Sequence, residues 1–352
     1  MTGARESGAL LAQGRRSSLI LGPMATLGHE AFRRVVARFG GCDEYFTEMM
    51  NAPSLVQSGP FEKYYLLSGP EPEKIVWQLT GKSAEPMARA AAMLGGLDGI
   101  GVDVNMGCSA PHIARTGAGI AWMTKPEGET GRMVRAVKSA LENAAKDGQA
   151  AKRLSVKMRL GDEGFTEEKL FSFCEMLVGE GVQMISLHAR TKKEKHRGHS
   201  RWEAVERLAR RFPHIPVILN GDVKDSASFR AACAAAPSAN GVMVATAAAQ
   251  KPWIFRELSR EAGSGAGVPD SAPLEIDAQE LALGFIGDLE KYQPPEFWRT
   301  RLQRFFAYYC LNFSFAHYFR TQMLNAAGID DAKNRVKEYF EKCKCDRMVK
   351  IL

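Results

Sequence analysis

Apolar, β-branched runs of five to seven residues recur along the first 245 positions, each followed by a stretch of helical periodicity. The runs fall at 18–24, 43–49, 74–80, 99–105, 154–159, 184–188, 216–220 and 241–245. Between them, apolar residues three and four apart predict helices at 30–39, 84–94, 128–146, 167–180, 202–211 and 226–235. Strands alternating with helices imply parallel βαβ units. A doubly wound open sheet would satisfy that pattern, but eight regular repeats favour closure into a TIM (β/α)8 barrel, whose usual size is about 250 residues.

The pattern changes after Pro252-Trp253-Ile254-Phe255. Residues 259–277 are rich in Gly, Ser, Ala and Pro and predict a linker. Beyond them, Phe285, Leu289, Trp298, Leu302, Phe305, Phe306 and Tyr309 recur at helical spacing, as do Phe315, Tyr318, Phe319, Met323 and Leu324. No strand pattern is visible there, so a small all-α C-terminal domain is expected. The expected organisation is an extension at 1–17, the barrel at 18–258, a linker at 259–277 and a helical domain at 278–352.

Composition narrows the class. Of 352 residues, 45% are hydrophobic and 25% charged, as in an ordinary soluble globular protein. No apolar run approaches the roughly 20 residues a membrane helix needs. Arg15-Arg16 before Ser17-Ser18-Leu19 weakly resembles an export signal. The apolar stretch is broken at Gly22-Pro23 and soon meets His29 and Glu30, which favours a buried first strand. The seven cysteines are scattered, and Cys343-Lys344-Cys345 has no matching ligand pair. Neither a disulfide framework nor a metal site is expected, and reduced thiols fit a cytoplasmic location. The net charge is +7, and residues 291–352 hold twelve Lys/Arg against six Asp/Glu. Such an excess is either a solvated helix face or, interleaved with aromatics, a surface suited to RNA.

Chemistry collects where the strands end, the mouth at which parallel barrels carry their sites. The set is Pro23-Met24, Glu48, Gln78, Asn105 with Cys108, Lys157 with Arg159, His188 with Arg190, Asn220-Gly221-Asp222 and Ala245-Thr246. Each has a bland explanation alone, and free cysteine is often buried filler. Together they converge on one barrel mouth. Lys157 ends an apolar strand and needs an anionic partner, because an unpaired buried charge is costly. The passages after strands seven and eight form the barrel's usual phosphate cradle.

Asn105-Met106-Gly107-Cys108, Lys157-Met158-Arg159, His188-Ala189-Arg190-Thr191 with Gly198 and Trp202, Asn220-Gly221-Asp222-Val223 and Gly241 to Val244 with Pro252-Trp253 resemble the tRNA-dihydrouridine synthases, in order from about 19 to 255. The resemblance implies an FMN enzyme that reduces the C5–C6 bond of uridine in tRNA, with NADPH as reductant. It implies that Cys108 is the proton donor to C5. By the same resemblance Pro23, Met24, Ala25, Gln78, Lys157, His188, Asn220, Gly221, Asp222, Ala245 and Thr246 hold FMN, and Asn105, Arg159 and Arg190 face the uracil or flanking phosphates. Hydride addition at C6 builds charge at C5 and O4, so a positioned acid is needed. A thiol of ordinary acidity, titrating near about 8.5, can supply it. The base must first be flipped out of the folded RNA, and 190–197 is a basic loop placed to meet phosphates.

Two departures stand out. Family members usually have Pro directly after the cysteine, whereas Ser109 and Ala110 intervene here before Pro111. A more mobile loop is expected. The family's Gly-Arg-Gly after strand eight is Ala245-Thr246-Ala247, which removes an arginine for the FMN phosphate and predicts weaker FMN retention. Two other readings remain: a small-molecule flavin oxidoreductase of dihydroorotate or dihydropyrimidine type, and an RNA-binding relative that has lost activity. The basic helical tail disfavours the first, and the presence of Cys108, Lys157 and Arg159 disfavours the second. No membrane or metal partner is expected, and a monomer is.

Overall fold

A computed structural model describes residues 17–145, 150–162, 164–195, 197–262 and 274–351. The predicted extension, apart from Ser17, and residues 263–273 of the predicted linker lie outside the described residues. Eight parallel strand positions close into a barrel: β1 (Ser18–Leu21), β2 (Glu44–Phe46) with its short continuation β3 (Met50–Asn51), β4 (Ile75–Thr80), β5 (Gly101–Met106), β6 (Arg153–Arg159), β7 (Met184–His188), β8 (Val217–Asn220) and β9 (Gly241–Val244). Neighbours run β2-β1-β9-β8-β7-β6-β5-β4, and β2 pairs with β4 to complete the ring.

Helices follow the strands around the outside: α1 (Glu30–Ala37), α2 (Ala52–Val56), α3 (Glu62–Tyr65), α4 (Ala84–Gly95), α5 (Pro111–Ala114), α6 (Glu127–Asn143), α7 (Glu167–Gly179), α8 (Trp202–Arg211), α9 (Ser226–Ala235), α10 (Thr246–Gln250) and α11 (Ile254–Glu261). Side chains fix some starts: Thr166 accepts from Lys169 N to cap α7, and Asp225 with Ser228 forms a capping box on α9. The six helices predicted from periodicity all form.

Strand alternation sorts the chemistry. On β4, Ile75, Trp77 and Leu79 belong to the core between barrel and helices; on β5, Val102, Val104 and Met106 do, and on β6, Leu154, Val156 and Met158. The alternate residues face the barrel axis. Ile20, Phe46, Val76, Met184, Ile218 and Met243 form a separate buried apolar cluster inside. Polar residues one pleat further along carry the chemistry: Gln78, Asn105, Lys157, His188 and Asn220.

The second strand is interrupted where the sequence predicts a continuous run over 43–49. Gln78 N donates to Thr47 Oγ1 at 3.0 Å instead of to a backbone carbonyl, so the ladder breaks and resumes at Met50↔Leu79. The break frees Glu48, which does not join the mouth as its strand-end position predicts. It is 4% exposed and pairs with Arg301 at 2.8 Å.

The C-terminal piece comprises α12 (Ala278–Tyr292), α13 (Pro295–Tyr309), α14 (Ala316–Leu324) and α15 (Ile329–Lys342). It also carries an antiparallel ladder, β10 (Leu274–Asp277) with β11 (Met348–Ile351), which local pattern does not predict. These two four-residue segments are joined by no turn, so only the tertiary fold pairs them. Phe285 of α12 stacks on Phe305 of α13 at 3.9 Å, and Phe305 meets Phe32 of α1 edge-on. One buried apolar cluster therefore runs from the barrel's outer layer to Phe340.

Candidate active site

At the C-terminal ends of the strands lies a cavity of about 530 Å³, within the usual range for cofactor and substrate sites. Of the residues expected there from sequence, all but Glu48 line it: Pro23, Met24, Ala25, Gln78, Asn105, Cys108, Lys157, Arg159, His188, Arg190, Asn220, Gly221, Asp222, Ala245 and Thr246.

A hydrogen-bond relay runs beneath the cysteine. Asp103, fully buried, accepts from Gln78 Nε2 at 2.8 Å and from Ser155 Oγ at 2.7 Å. Gln78 Oε1 accepts from Asn105 Nδ2 at 3.0 Å. Asn105 Oδ1 in turn accepts from the backbone N–H of Gly107 at 3.1 Å and of Cys108 at 2.9 Å. The Asn-x-Gly-Cys spacing thus lets an inward strand-end amide cap the turn that presents the thiol. Ile120 N donates to Cys108 O at 3.1 Å, an approach allowed by Gly119, where a Cβ would lie 2.6 Å from that oxygen. The segment after Cys108 is anchored at both ends without an adjacent proline, with Pro111 opening α5.

The cations divide into two kinds. Arg159 donates to Gly107 O at 3.1 Å and Lys195 O at 2.7 Å, joining the cysteine turn to the 191–198 loop. Arg190 donates to both Asp222 oxygens at 2.6 and 2.7 Å and to Gly198 O at 2.5 Å, and lies 3.0 Å from His188 Nε2. Both guanidiniums are largely committed to the protein. Lys157 instead donates no hydrogen bond to any described residue. Burial, aided by Arg159, pushes its ammonium down to about 8, with Asp103 and Cys108 opposing. Asp103 is pushed up to about 6 by burial, against its bonds to Gln78 and Ser155.

On the opposite wall the β8–α9 turn is built for close approach. Gly221 has φ +114°, and a Cβ there would come within 2.8 Å of the His188 ring. Asp222, at φ +64°, accepts from Ser200 N at 2.6 Å besides holding Arg190. An ammonium free of hydrogen bonds, a glycine turn and Thr246 lining one cavity form a donor set that fits a phosphorylated, ring-bearing anion.

A family model described as dihydrouridine synthase (Dus) matches residues 20–343. The chain belongs to the dihydrouridine synthase family. A probable tRNA-dihydrouridine synthase of Aquifex aeolicus is 30% identical, covering 76% of this chain and 80% of its own. One from Rhodobacter capsulatus is 31% identical over 68% of this chain and 70% of its own. A mouse tRNA-dihydrouridine(47) synthase-like protein, whose name includes NAD(P)(+), is 31% identical over 69% of this chain and 36% of its own.

In this dihydrouridine synthase the cavity also takes in Lys195, from the basic loop expected beside the mouth, and residues that sequence reasoning missed, among them Met49, Arg304 and Tyr308. Arg304 and Tyr308 come from α13, at helical spacing from Arg301, and their basic-aromatic pattern was legible as a helix face but not as a wall of this site. Among the described residues, no group of three or more His, Cys, Asp or Glu is placed to hold a metal ion. No described helix is long and apolar enough to cross a membrane.

Proposed function

We propose that this chain reduces the C5–C6 double bond of uridine in tRNA to dihydrouridine, with FMN as bound cofactor and NADPH as reductant. The observation that carries the reading is the cysteine turn at a cavity whose Lys157 ammonium makes no hydrogen bond or ion pair with any described residue. When bound, FMN supplies the hydride that adds to C6 of the uracil ring. The Cys108 thiol gives its proton to C5, which balances the addition, and solvent reprotonates the resulting thiolate. Asn105 and, behind it, Gln78 and Asp103 fix where that thiol sits. Lys157 neutralises the negative edge of the reduced ring system, while Pro23, Met24, Ala25, His188, Asn220, Gly221, Ala245 and Thr246 enclose the cofactor. Asp222 and Arg190 hold one another and shape the cofactor wall, and Arg159 fixes the 191–198 loop toward the flanking phosphates. The helical segment 278–352 binds the RNA.

The test pairs absorbance with product. Purified protein is expected to be yellow and to form dihydrouridine on tRNA from a strain lacking the modification. Cys108→Ala is expected to keep the flavin spectrum and to lose about 10²- to 10⁴-fold in rate, the usual worth of a positioned acid. Full activity in Cys108→Ala removes the proton-donor role, and reduction of free pyrimidines but not RNA would move the chain to small-molecule chemistry.

A further inference from the structure

The loops after β8 and β9 contribute Gly221, Asp222, Ala245 and Thr246 to the cavity wall, and no cation. Asp222 is already neutralised by Arg190. That end of the barrel mouth is where this fold receives phosphate.

Arg304 on α13 lines the same cavity as Thr246. Its Nε is buried with no hydrogen-bond partner, and among the described residues it forms no ion pair. Its guanidinium carbon lies 5.3 Å from the centroid of the Tyr308 ring, one turn along the helix. Burying a guanidinium edge without an acceptor is costly, so the position has a cost that an incoming ligand would relieve. A planar guanidinium fork matches phosphate oxygens better than it matches a neutral ring.

The helix that carries Arg304 is anchored to the barrel. Arg301, three residues earlier on the same face, pairs with Glu48 at 2.8 Å, with the two side chains 3% and 5% exposed. α10, which Thr246 opens, packs against α13. Asn312 Nδ2, just beyond α13, donates to Gln250 O at 2.6 Å at the far end of α10. Arg301 thus anchors the helix to the barrel, while Arg304 and Tyr308 reach the cavity at its mouth.

We propose that Arg304 is the cationic contact for the phosphate monoester of the bound flavin, supplied by the C-terminal helices to a barrel whose own loops lack one. The assignment rests on the flavin reading above. Because cofactor retention would then need α13 in place, the barrel and the helices form a single binding unit.

The test uses two ligands that differ only in the phosphate. Flavin is stripped from the full-length protein, which is then titrated with FMN and with riboflavin while flavin fluorescence is followed. Wild type is expected to bind FMN more tightly than riboflavin. Arg304→Ala is expected to lose about 10- to 100-fold in FMN affinity, the range for a hydrogen bond to a charged group. Its riboflavin affinity should be unchanged, which also reports an intact fold, and Arg304→Lys should recover part of the loss. If Arg304→Ala keeps the wild-type ratio of FMN to riboflavin affinity, the assignment is overturned; a loss of tRNA affinity in that case would give Arg304 to an RNA phosphate. If wild type binds neither flavin, the cofactor reading itself fails and takes this assignment with it.

Discussion

Lys157 shows how a single residue can trade stability for a site. Its folded-state value of about 8 lies below the ordinary lysine value of about 10.4, so the unfolded chain holds the proton more tightly. The charged form is thus a burden at neutral pH, relieved as pH rises through 8 toward 10. Replacing it with Met in the flavin-free protein is expected to raise stability by about 1–3 kcal/mol at pH 7, by urea denaturation, while abolishing flavin retention. A variant that is both less stable and still yellow would contradict this. Asp103 has the opposite sign. Its value of about 6 exceeds the ordinary 3.9 or so, so the folded chain binds that proton more tightly, and the contribution to stability is present below about pH 4 and lost as pH rises through 6. The stability of wild type relative to Asp103→Asn should therefore fall by up to about 3 kcal/mol between pH 4 and 7, and a flat difference would refute it. The residue types at the site were legible, because strand alternation and strand-end position pick out Gln78, Asn105, Lys157 and His188. What the chain could not announce was which charges the fold would neutralise: Arg190 and Lys157 read alike until Asp222 is seen holding one of them.

Among the elements, α13 links the two halves of the molecule. Its buried Arg301–Glu48 pair is the kind whose breakage costs more than its formation gains, because one charge is left without compensation. Arg301→Met is expected to destabilise by about 3–5 kcal/mol at neutral pH. The loss should shrink as pH falls, since burial already pushes Glu48 upward against Arg301, the Thr26 backbone hydrogen bond and Arg33, and removing Arg301 takes away the largest of these. Adding Glu48→Gln should recover much of the loss, measured by denaturation of all three proteins; a double variant no more stable than Arg301→Met would show that packing, not charge, holds the helix. Periodicity located the barrel strands and six helices because each buries a face of fixed period. It failed where pairing is decided at a distance, at β10 with β11, and where a side chain displaces a backbone acceptor, at Thr47 inside the second strand.

On the scale of the whole molecule, the barrel was legible because its βαβ repeat is written eight times, whereas the joint between barrel and helices was not. Phe32, Phe285 and Phe305 appear in sequence as core residues of separate elements, yet they meet at that joint. The excess of positive charge was visible too, but not the face that carries it. In the structure, Leu311, Phe315, Tyr318 and Met348 are large apolar side chains left exposed on the C-terminal piece, with Phe315 at 59% and Tyr318 at 44%. Arg320 and Lys344 are exposed on the same C-terminal piece, and exposed rings with exposed cations are the combination by which proteins hold unpaired bases and their backbone. Stacking of one base on an aromatic ring contributes about 1–3 kcal/mol. Phe315→Ala combined with Tyr318→Ala should therefore weaken tRNA binding by about tenfold or more in a filter or gel assay, with flavin content and melting temperature at wild-type values because neither ring is buried. Raising salt should weaken wild type and variant with the same slope, since the substitutions remove no phosphate contact. Unchanged affinity would place the RNA on another face. A reduced slope would show that the rings act by positioning the neighbouring cations rather than by stacking.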